Sequence, residues 1–279
     1  MPCFSDNLVS VVMPCYRVKP SYLEKSIESI LSQSYDNLEL IVIMDPSHSK
    51  IDKEMLNLLD NFSDDKRLRV ILHKKRKGLA RSLNEGILTS KGKYIARADG
   101  DDINRLDRIG RQVRYMIEKG YHMVGSWALI IDEKSKIISY IKKPVTPREI
   151  RSRIMLHSPF IHPSVVIQKD VFKDVGLYNP QFEYSEDYEL WLRIVSKGYR
   201  CANYPDYLVM LRHTKLSITR GSDWFKNRSA YFRSKLYAFR NYGFNNIIDF
   251  LFLAATLFAL ISHPSIDFIV KGVLRRFNL

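Results

Sequence analysis

Four short apolar runs separated by amphipathic stretches fill the first hundred residues, and this alternation constrains the fold most. "LVSVVMP" (8–14), "LELIVIMD" (38–45), "RLRVILH" (67–73) and "KYIARAD" (93–99) have the length and β-branched content of buried strands. Between them, "SYLEKSIESILSQSY" (21–35) places Leu23, Ile27, Ile30 and Leu31 on one helical face. Ser21 with Glu24 three residues later reads as a capping box for that helix. A polar helix over about 50–61 follows, then the stretch 78–92, with Leu79, Leu83 and Ile87 on one face. Strands alternating with helices need right-handed crossovers and predict an α/β fold with a mostly parallel central sheet. In such sheets ligands bind beyond the carboxyl ends of the strands. Asp45 and Asp99 both close strands, which puts both in one crevice.

The next segments predict a second half. A helix over 105–120 turns Leu106, Ile109, Val113 and Ile117 inward. Strands at 122–132 and 136–144 flank a turn near Lys134–Ser135, residues 147–156 are helical, and 162–168 is a strand. A helix over 186–198 opens with two acids at its positive end, and 199–213 is extended. No Pro/Gly/Ser linker interrupts the first 220 residues, so they are expected to form one domain with halves at about 8–104 and 105–220. Residues 221–279 are expected to be a helical tail. From Asp223 onward there are eight Lys or Arg against three Asp, and "FLFLAATLFALI" (250–261) is uninterrupted. A spanning helix needs roughly 20 apolar residues. The mixed segment 267–279, with Lys271, Arg275 and Arg276 among apolar side chains, instead predicts a helix lying on a membrane face. A helix packed on the preceding domain or on a second subunit is the alternative.

The net charge of +14, from 44 Lys and Arg against 30 Asp and Glu, favours an anionic partner: nucleic acid, an acidic membrane or a phosphorylated ligand. Cys3, Cys15 and Cys201 are scattered, which argues against a disulfide framework or zinc site and fits a reducing compartment. No secretory pattern opens the chain, so a cytoplasmic location is expected.

Against this basic background, "RADGDDINRLDR" (97–108) packs Asp99, Asp101, Asp102 and Asp107 into nine positions. They repel one another unless something positive lies among them. A calcium-binding EF-hand loop counted from Asp99 would need Gly and Glu where Asn104 and Gly110 stand. A phosphatase of the aspartyl-phosphate type carries its acid pair after the first strand, which here ends in "PCYR". A solvated acidic turn fits poorly with Asp99 closing a buried strand. A divalent-cation site holding a diphosphate fits better. Mg²⁺ and Mn²⁺ take one or two carboxylates and complete their shell with phosphate oxygens and water. "HKKRKGLAR" (73–81), Arg81 in particular, would add cations around the same phosphates.

These blocks, with "HPSVVIQKDVFKDVGLYNPQFEYSEDYELWLRIVSKG" and "LRHTKLSIT" after them, resemble the family 2 glycosyltransferases over about residues 8–220. The resemblance implies the GT-A fold: a Rossmann-like nucleotide-binding half joined to an acceptor-binding half. It further implies that Asp45 holds the nucleotide base in a pocket lined by Pro14 and Tyr16. Asp99 would sit near the ribose, and Asp101 would ligate Mg²⁺ or Mn²⁺. His213 would approach the metal or diphosphate from the C-terminal side, and Asp187 would be the general base. The pattern departs at Met44, Pro46 and Arg17, all beside the base pocket. Asp102 and Asp107 are read as supporting or helix-start acids, and Trp191 as core. The expected activity is an inverting transfer from a nucleotide-diphosphate sugar, a UDP-sugar, to a glycan acceptor. The basic, apolar tail points to a lipid-linked acceptor at the cytosolic membrane face, in bacterial surface polysaccharide synthesis. A sugar nucleotidyltransferase would carry a Gly-rich loop after its first strand, and "PCYRVKPS" has no glycine. No helix-turn-helix, zinc-finger or RNP-like pattern supports a nucleic-acid partner.

Overall fold

The computed structural model describes residues 7–213, 224–244 and 247–261. Strands β1 (Val9–Cys15), β2 (Leu38–Met44), β3 (Leu68–Leu72) and β4 (Tyr94–Arg97) run parallel in the order β3-β2-β1-β4. Val11, Leu40 and Val42 pack on one layer of helices, while Val12, Ile41 and Ile43 pack on the other. Burial on both faces is why the central runs read as continuous apolar stretches. Helices α1 (Pro20–Leu31), α2 (Lys50–Asp60) and α4 (Arg108–Lys119) cover the first face, and α3 (Leu79–Thr89) covers the second.

Two expected boundaries move. α1 starts with Pro20 at its first position and Lys19 as its cap, without a side-chain cap bond, so the Ser21–Glu24 box does not form. Proline's fixed φ suits that position and starts the helix a residue early. α4 begins only at Arg108, because β5 (Ile103–Asn104) pairs with the last strand and Arg105 N–H donates to Leu208 O at 3.0 Å. Leu106 is therefore 57% exposed, and the inward face is Ile109, Gln112, Val113 and Met116 rather than a stripe ending at Ile117.

The second half extends the same sheet. β6 (Met123–Ile131) and β7 (Ile137–Ile141) form an antiparallel hairpin, closed by Ser135 at φ 65° and by Asp132 Oδ1, which accepts from Lys134 and Lys136 N–H at 2.9 Å. After α5 (Pro147–Arg153), a 3₁₀ turn at His162–Ser164 replaces the start of the expected 162–168 strand. β8 (Val166–Gln168) then lies antiparallel between β4 and β6, joining the halves. α6 (Val171–Val175) and α7 (Glu186–Ser196) precede β9 (Cys201–Arg212), which runs parallel to β6.

The described part of the tail is helical, as α8 (Trp224–Asn241) and α9 (Ile247–Ile261). Both pack on the preceding domain. Ala238, Phe244 and Phe252 enter the core that holds Trp191, and Tyr231 stacks on Tyr188 at 4.9 Å. Lys235 Nζ donates to Leu156 O at 2.9 Å and to Thr256 Oγ1 at 2.8 Å, tying both helices to the turn after α5. Ile247, Phe250, Leu251 and Leu257 remain exposed on α9. No helix among the described residues is long and apolar enough to cross a membrane. The segment 267–279 lies outside the described residues.

Candidate active site at the ends of β4 and α7

The acid turn leaves β4 through Gly100, where an added Cβ would meet Cys15 Sγ at 2.9 Å. Ser26 Oγ donates to Asp99 O at 2.7 Å and pins the turn to α1. Ligand oxygens of Asp99, Asp101 and Asp102 all lie within 4.8 Å of one another. Asp107 turns away, into ion pairs with Arg105 at 2.6 Å and Arg111 at 2.5 Å, which hold its carboxyl down to about 2. Two buried arginines brace the remaining three. Arg97 pairs with Asp99. Arg212 donates its backbone N–H to Asp102 Oδ1 at 2.8 Å and its Nε to Asp101 O at 2.9 Å. Burial, then the charge of Asp99, pushes Asp101 up to about 6 and raises Asp102 well above the ordinary carboxylate range. Three clustered carboxylates are a hard-oxygen donor set, and that set fits Mg²⁺ or Mn²⁺. His213 directly follows β9, its N–H donating to Ile131 O at 2.8 Å, and its ring is not among those grouped atoms.

On the nucleotide side, Asp45 is 4% exposed at the end of β2. Its oxygens accept from Lys77 N–H at 2.7 Å and Gly78 N–H at 2.9 Å, and His73 Nδ1 lies at 3.1 Å. Asp45 thus fixes the loop that starts α3, leaving roughly one of a carboxylate's four acceptor positions open. Pro14 and Tyr16 are half-buried nearby in sequence, at the end of β1. The Tyr16 ring lies under Arg76 at 4.4 Å and Arg17 at 5.4 Å. Arg81 is exposed in the first turn of α3.

On the other side, Glu186 and Asp187 open α7. Asp187 Oδ1 accepts from Tyr188 N–H at 2.7 Å. Desolvation raises the Asp187 carboxyl, while that N–H, Arg97 and Lys143 pull it back. Burial, with the Asp187 charge, pushes Glu186 up to about 7. Lys143 donates to Ser158 O at 2.7 Å, and desolvation brings its ammonium down to about 8 against the pull of Asp187.

A family model described as glycosyl transferase family 2 matches residues 10–176, more than half of the chain. The chain belongs to that family. Among relatives of this glycosyltransferase is the amylovoran biosynthesis glycosyltransferase AmsE of Erwinia amylovora, 31% identical over 85% of this chain and 88% of its own. Another is the Escherichia coli UDP-Gal:alpha-D-GlcNAc-diphosphoundecaprenol beta-1,3-galactosyltransferase, 28% identical over 96% of this chain and 97% of its own. The mannosyltransferase PcManGT of Pyrobaculum calidifontis, solved with GDP-Man and Mn²⁺, superposes with a TM-score of 0.65 at 18% identity, over 96% of this chain and 80% of that one. The fold is GT-A.

In this glycosyltransferase the sheet gathers Asp99 and Asp101 into one group and ties Asp45 to the neighbouring loop, whereas Asp187 comes from the other half. Trp191 is fully buried against Phe160, His162 and Tyr178, as a core residue. Arg97, Arg212 and Lys143 also belong to the site and were not legible as site residues in the sequence. Their one signal was a charge set inside or beside apolar strand runs, as in "YIARAD" and "VMLRH". A cleft of about 840 Å³ lies between α4 and Tyr204, and none of Asp99, Asp101 or Asp102 lines it.

The acid group has a pH signature. The folded pKa of Asp101 lies above its ordinary 3.8, so the folded state binds that proton more tightly than the unfolded chain does. That stability is present below about pH 4 and is lost as pH rises through about 6. Asp101→Asn should therefore melt higher than wild type at pH 7.5 without metal, and the gap should close by about pH 4. Mn²⁺ should raise the melting temperature of wild type but not of Asp101→Asn. An equal Mn²⁺ response in both would remove Asp101 from the cation site.

Proposed function

We propose that the chain is an inverting, metal-dependent glycosyltransferase with a UDP-sugar donor and a lipid-linked glycan acceptor, acting in bacterial surface polysaccharide synthesis. The observation that carries the mechanism is Asp187: a desolvated carboxylate at a helix N-terminus, with Arg97 and Lys143 favouring its charged form. In this reading Asp45, Pro14 and Tyr16 hold the base, Asp99 the ribose side, and Arg81 the phosphates. Asp101, with His213 approaching from the C-terminal side, would hold Mg²⁺ or Mn²⁺. When bound, the cation would offset charge on the departing nucleotide diphosphate.

A sugar hydroxyl is a poor nucleophile at neutral pH and needs a base aligned with it. Asp187 takes the hydroxyl proton as the oxygen bonds to the anomeric carbon. The bond from that carbon to the diphosphate oxygen breaks on the opposite face, with its electron pair leaving on the diphosphate. One displacement inverts the configuration. Burial and the Asp187 charge push the neighbouring Glu186 up to about 7, and the substitutions below separate the two acids. The E. coli relative is named for a UDP-sugar donor, a diphosphoundecaprenol acceptor and a β-linked product, which supports each of these assignments. The amylovoran relative supports polysaccharide synthesis.

Peripheral membrane contact on the cytoplasmic side is part of the same reading. Its support is the exposed Ile247, Phe250, Leu251 and Leu257 on α9, next to α8, whose sequence carries no acid and, besides the buried Lys235, four Lys or Arg. Each cation near an anionic surface contributes about 1 kcal/mol. The double change Ile247→Glu and Leu251→Glu lies on the exposed face, so it should leave melting nearly unchanged while reducing sedimentation with anionic vesicles. Undiminished sedimentation would discard this face.

Asp187→Asn keeps the shape and much of the capping ability but cannot take a proton. Transfer should fall by roughly 10²–10⁴-fold, with donor affinity and melting little changed. Glu186→Gln should do much less. An α-linked donor should give a β-linked product by proton NMR. Retained configuration, or near-normal turnover by Asp187→Asn, would end the inverting assignment.

A further inference from the structure

Ser185 stands just before α7, where a serine hydroxyl ordinarily accepts from the backbone N–H two or three residues on. Here it makes no such bond. Its hydroxyl oxygen lies 2.9 Å from that of Ser234 in α8, and both serines are fully buried. Ser185 Oγ also donates to Phe182 O at 3.4 Å. The N–H three residues on belongs to Tyr188, and Asp187 Oδ1 takes it at 2.7 Å. The cap serine is thus turned toward the tail helix, and the acid occupies the place that the serine would hold.

α8 grips this segment at several points on one face. Tyr231, three residues before Ser234, stacks on Tyr188 with ring centroids 4.9 Å apart and planes 22° apart. Lys235 donates to Leu156 O at 2.9 Å, and Tyr188 OH donates to Ile154 O in the same turn after α5. Tyr184 holds φ 68°, a left-handed conformation uncommon for an aromatic residue, directly before Ser185. Ser185 on one side of the acid pair and Tyr188 on the other are therefore both held by the tail. With Oδ1 fixed on the Tyr188 N–H, the Asp187 carboxylate has a set orientation, and a base acts only when aligned with the proton it takes.

We propose that Ser234 is a positioning residue: by engaging the Ser185 hydroxyl it leaves the Tyr188 N–H to Asp187, so the tail helix α8 sets the orientation of that carboxylate. The consequence for proton transfer rests on the base assignment made above; the choice of partner for the Tyr188 N–H does not.

The test uses the full chain. Ser234→Ala removes the hydroxyl from a helix interior that alanine suits, so folding should hold. The freed Ser185 hydroxyl should then cap the Tyr188 N–H and displace Asp187. kcat should fall by roughly tenfold, within the range that a misplaced catalytic group costs. The KM for the UDP-sugar should stay near wild type, because none of these contacts involves the nucleotide half. Ser234→Cys fills the same space but is a weak hydrogen-bonding partner, and it should lose turnover as alanine does. Adding Ser185→Ala to Ser234→Ala removes the competing hydroxyl and should recover most of the lost turnover.

A crystal structure of Ser234→Ala reads the same switch without activity. Ser185 Oγ, in place of Asp187 Oδ1, should lie within hydrogen-bond reach of Tyr188 N. If Asp187 is not the base, Asp187→Asn keeps its turnover, and the crystal structure still decides which group Tyr188 N–H meets. Asp187 Oδ1 unmoved on Tyr188 N in that structure would overturn the proposal. So would a double variant no faster than Ser234→Ala, or a cysteine variant with wild-type turnover, since either would reduce Ser234 to packing. Loss of folding in both Ser234 variants would assign the residue to stability alone and overturn it equally.

Discussion

Desolvated carboxylates at the end of β4 tolerate one another because buried guanidiniums are built in around them. Without Arg97 and Arg212, Asp99, Asp101 and Asp102 would face burial and mutual repulsion with no opposing charge of their own. Arg212 also donates through Nη1 to Asp132 O at 2.9 Å and through Nη2 to Ser135 Oγ at 3.1 Å, so it locks the β6–β7 turn beside the acid turn. Its guanidinium lies 4.3 Å from the Tyr22 ring of α1. One arginine at the end of β9 thereby joins the first helix, the acid turn and the hairpin of the second half. The charge requirement of the site and the docking of the two halves are met by the same side chains.

This arrangement puts the strongly basic composition in a different light. Much of the +14 charge lies on segments such as 73–81 and α8, while the site interior is an acidic group held by two internal cations. Under the proposed function, a phosphorylated donor would meet surface cations on approach and, inside, a carboxylate group that a divalent cation would convert into an anion-binding centre. Lys143 and Arg97 extend the pattern to Asp187, where they oppose the desolvation that raises its carboxyl. Charge in this protein is arranged by depth.

How much of this could be read from the residues follows from which forces are local. The parallel strands β1 to β4 were legible because burial on both faces leaves continuous apolar runs, and the acid turn because four carboxylates in nine positions demand a cause. Asp45 and Asp187 were legible as an acid closing a strand and an acid opening a helix. The late start of α4 was not, since it depends on β5 pairing with a strand more than a hundred residues later. The 3₁₀ turn at His162–Ser164 was missed for a local reason, the proline at its second position, whose missing N–H weakens a strand start. Arg97 and Arg212 escaped because a charged residue within an apolar run looks like an edge, and only tertiary contacts show it facing acids. The docking of α8 and α9 was left as one of two outcomes, because an apolar run of twelve residues suits a core and a membrane surface equally well.

The central claim is that the carboxylate group at the end of β4, through Asp101, holds the divalent cation that binds the donor diphosphate. Anomalous diffraction at the manganese absorption edge, on crystals grown with Mn²⁺ and UDP, tests this most directly. A single strong peak about 2 Å from an Asp101 carboxylate oxygen, sharing its shell with the UDP diphosphate, is the expected result. UDP bound at the strand ends with no manganese at Asp101, or manganese bound beside Glu186 and Asp187 instead, would contradict it.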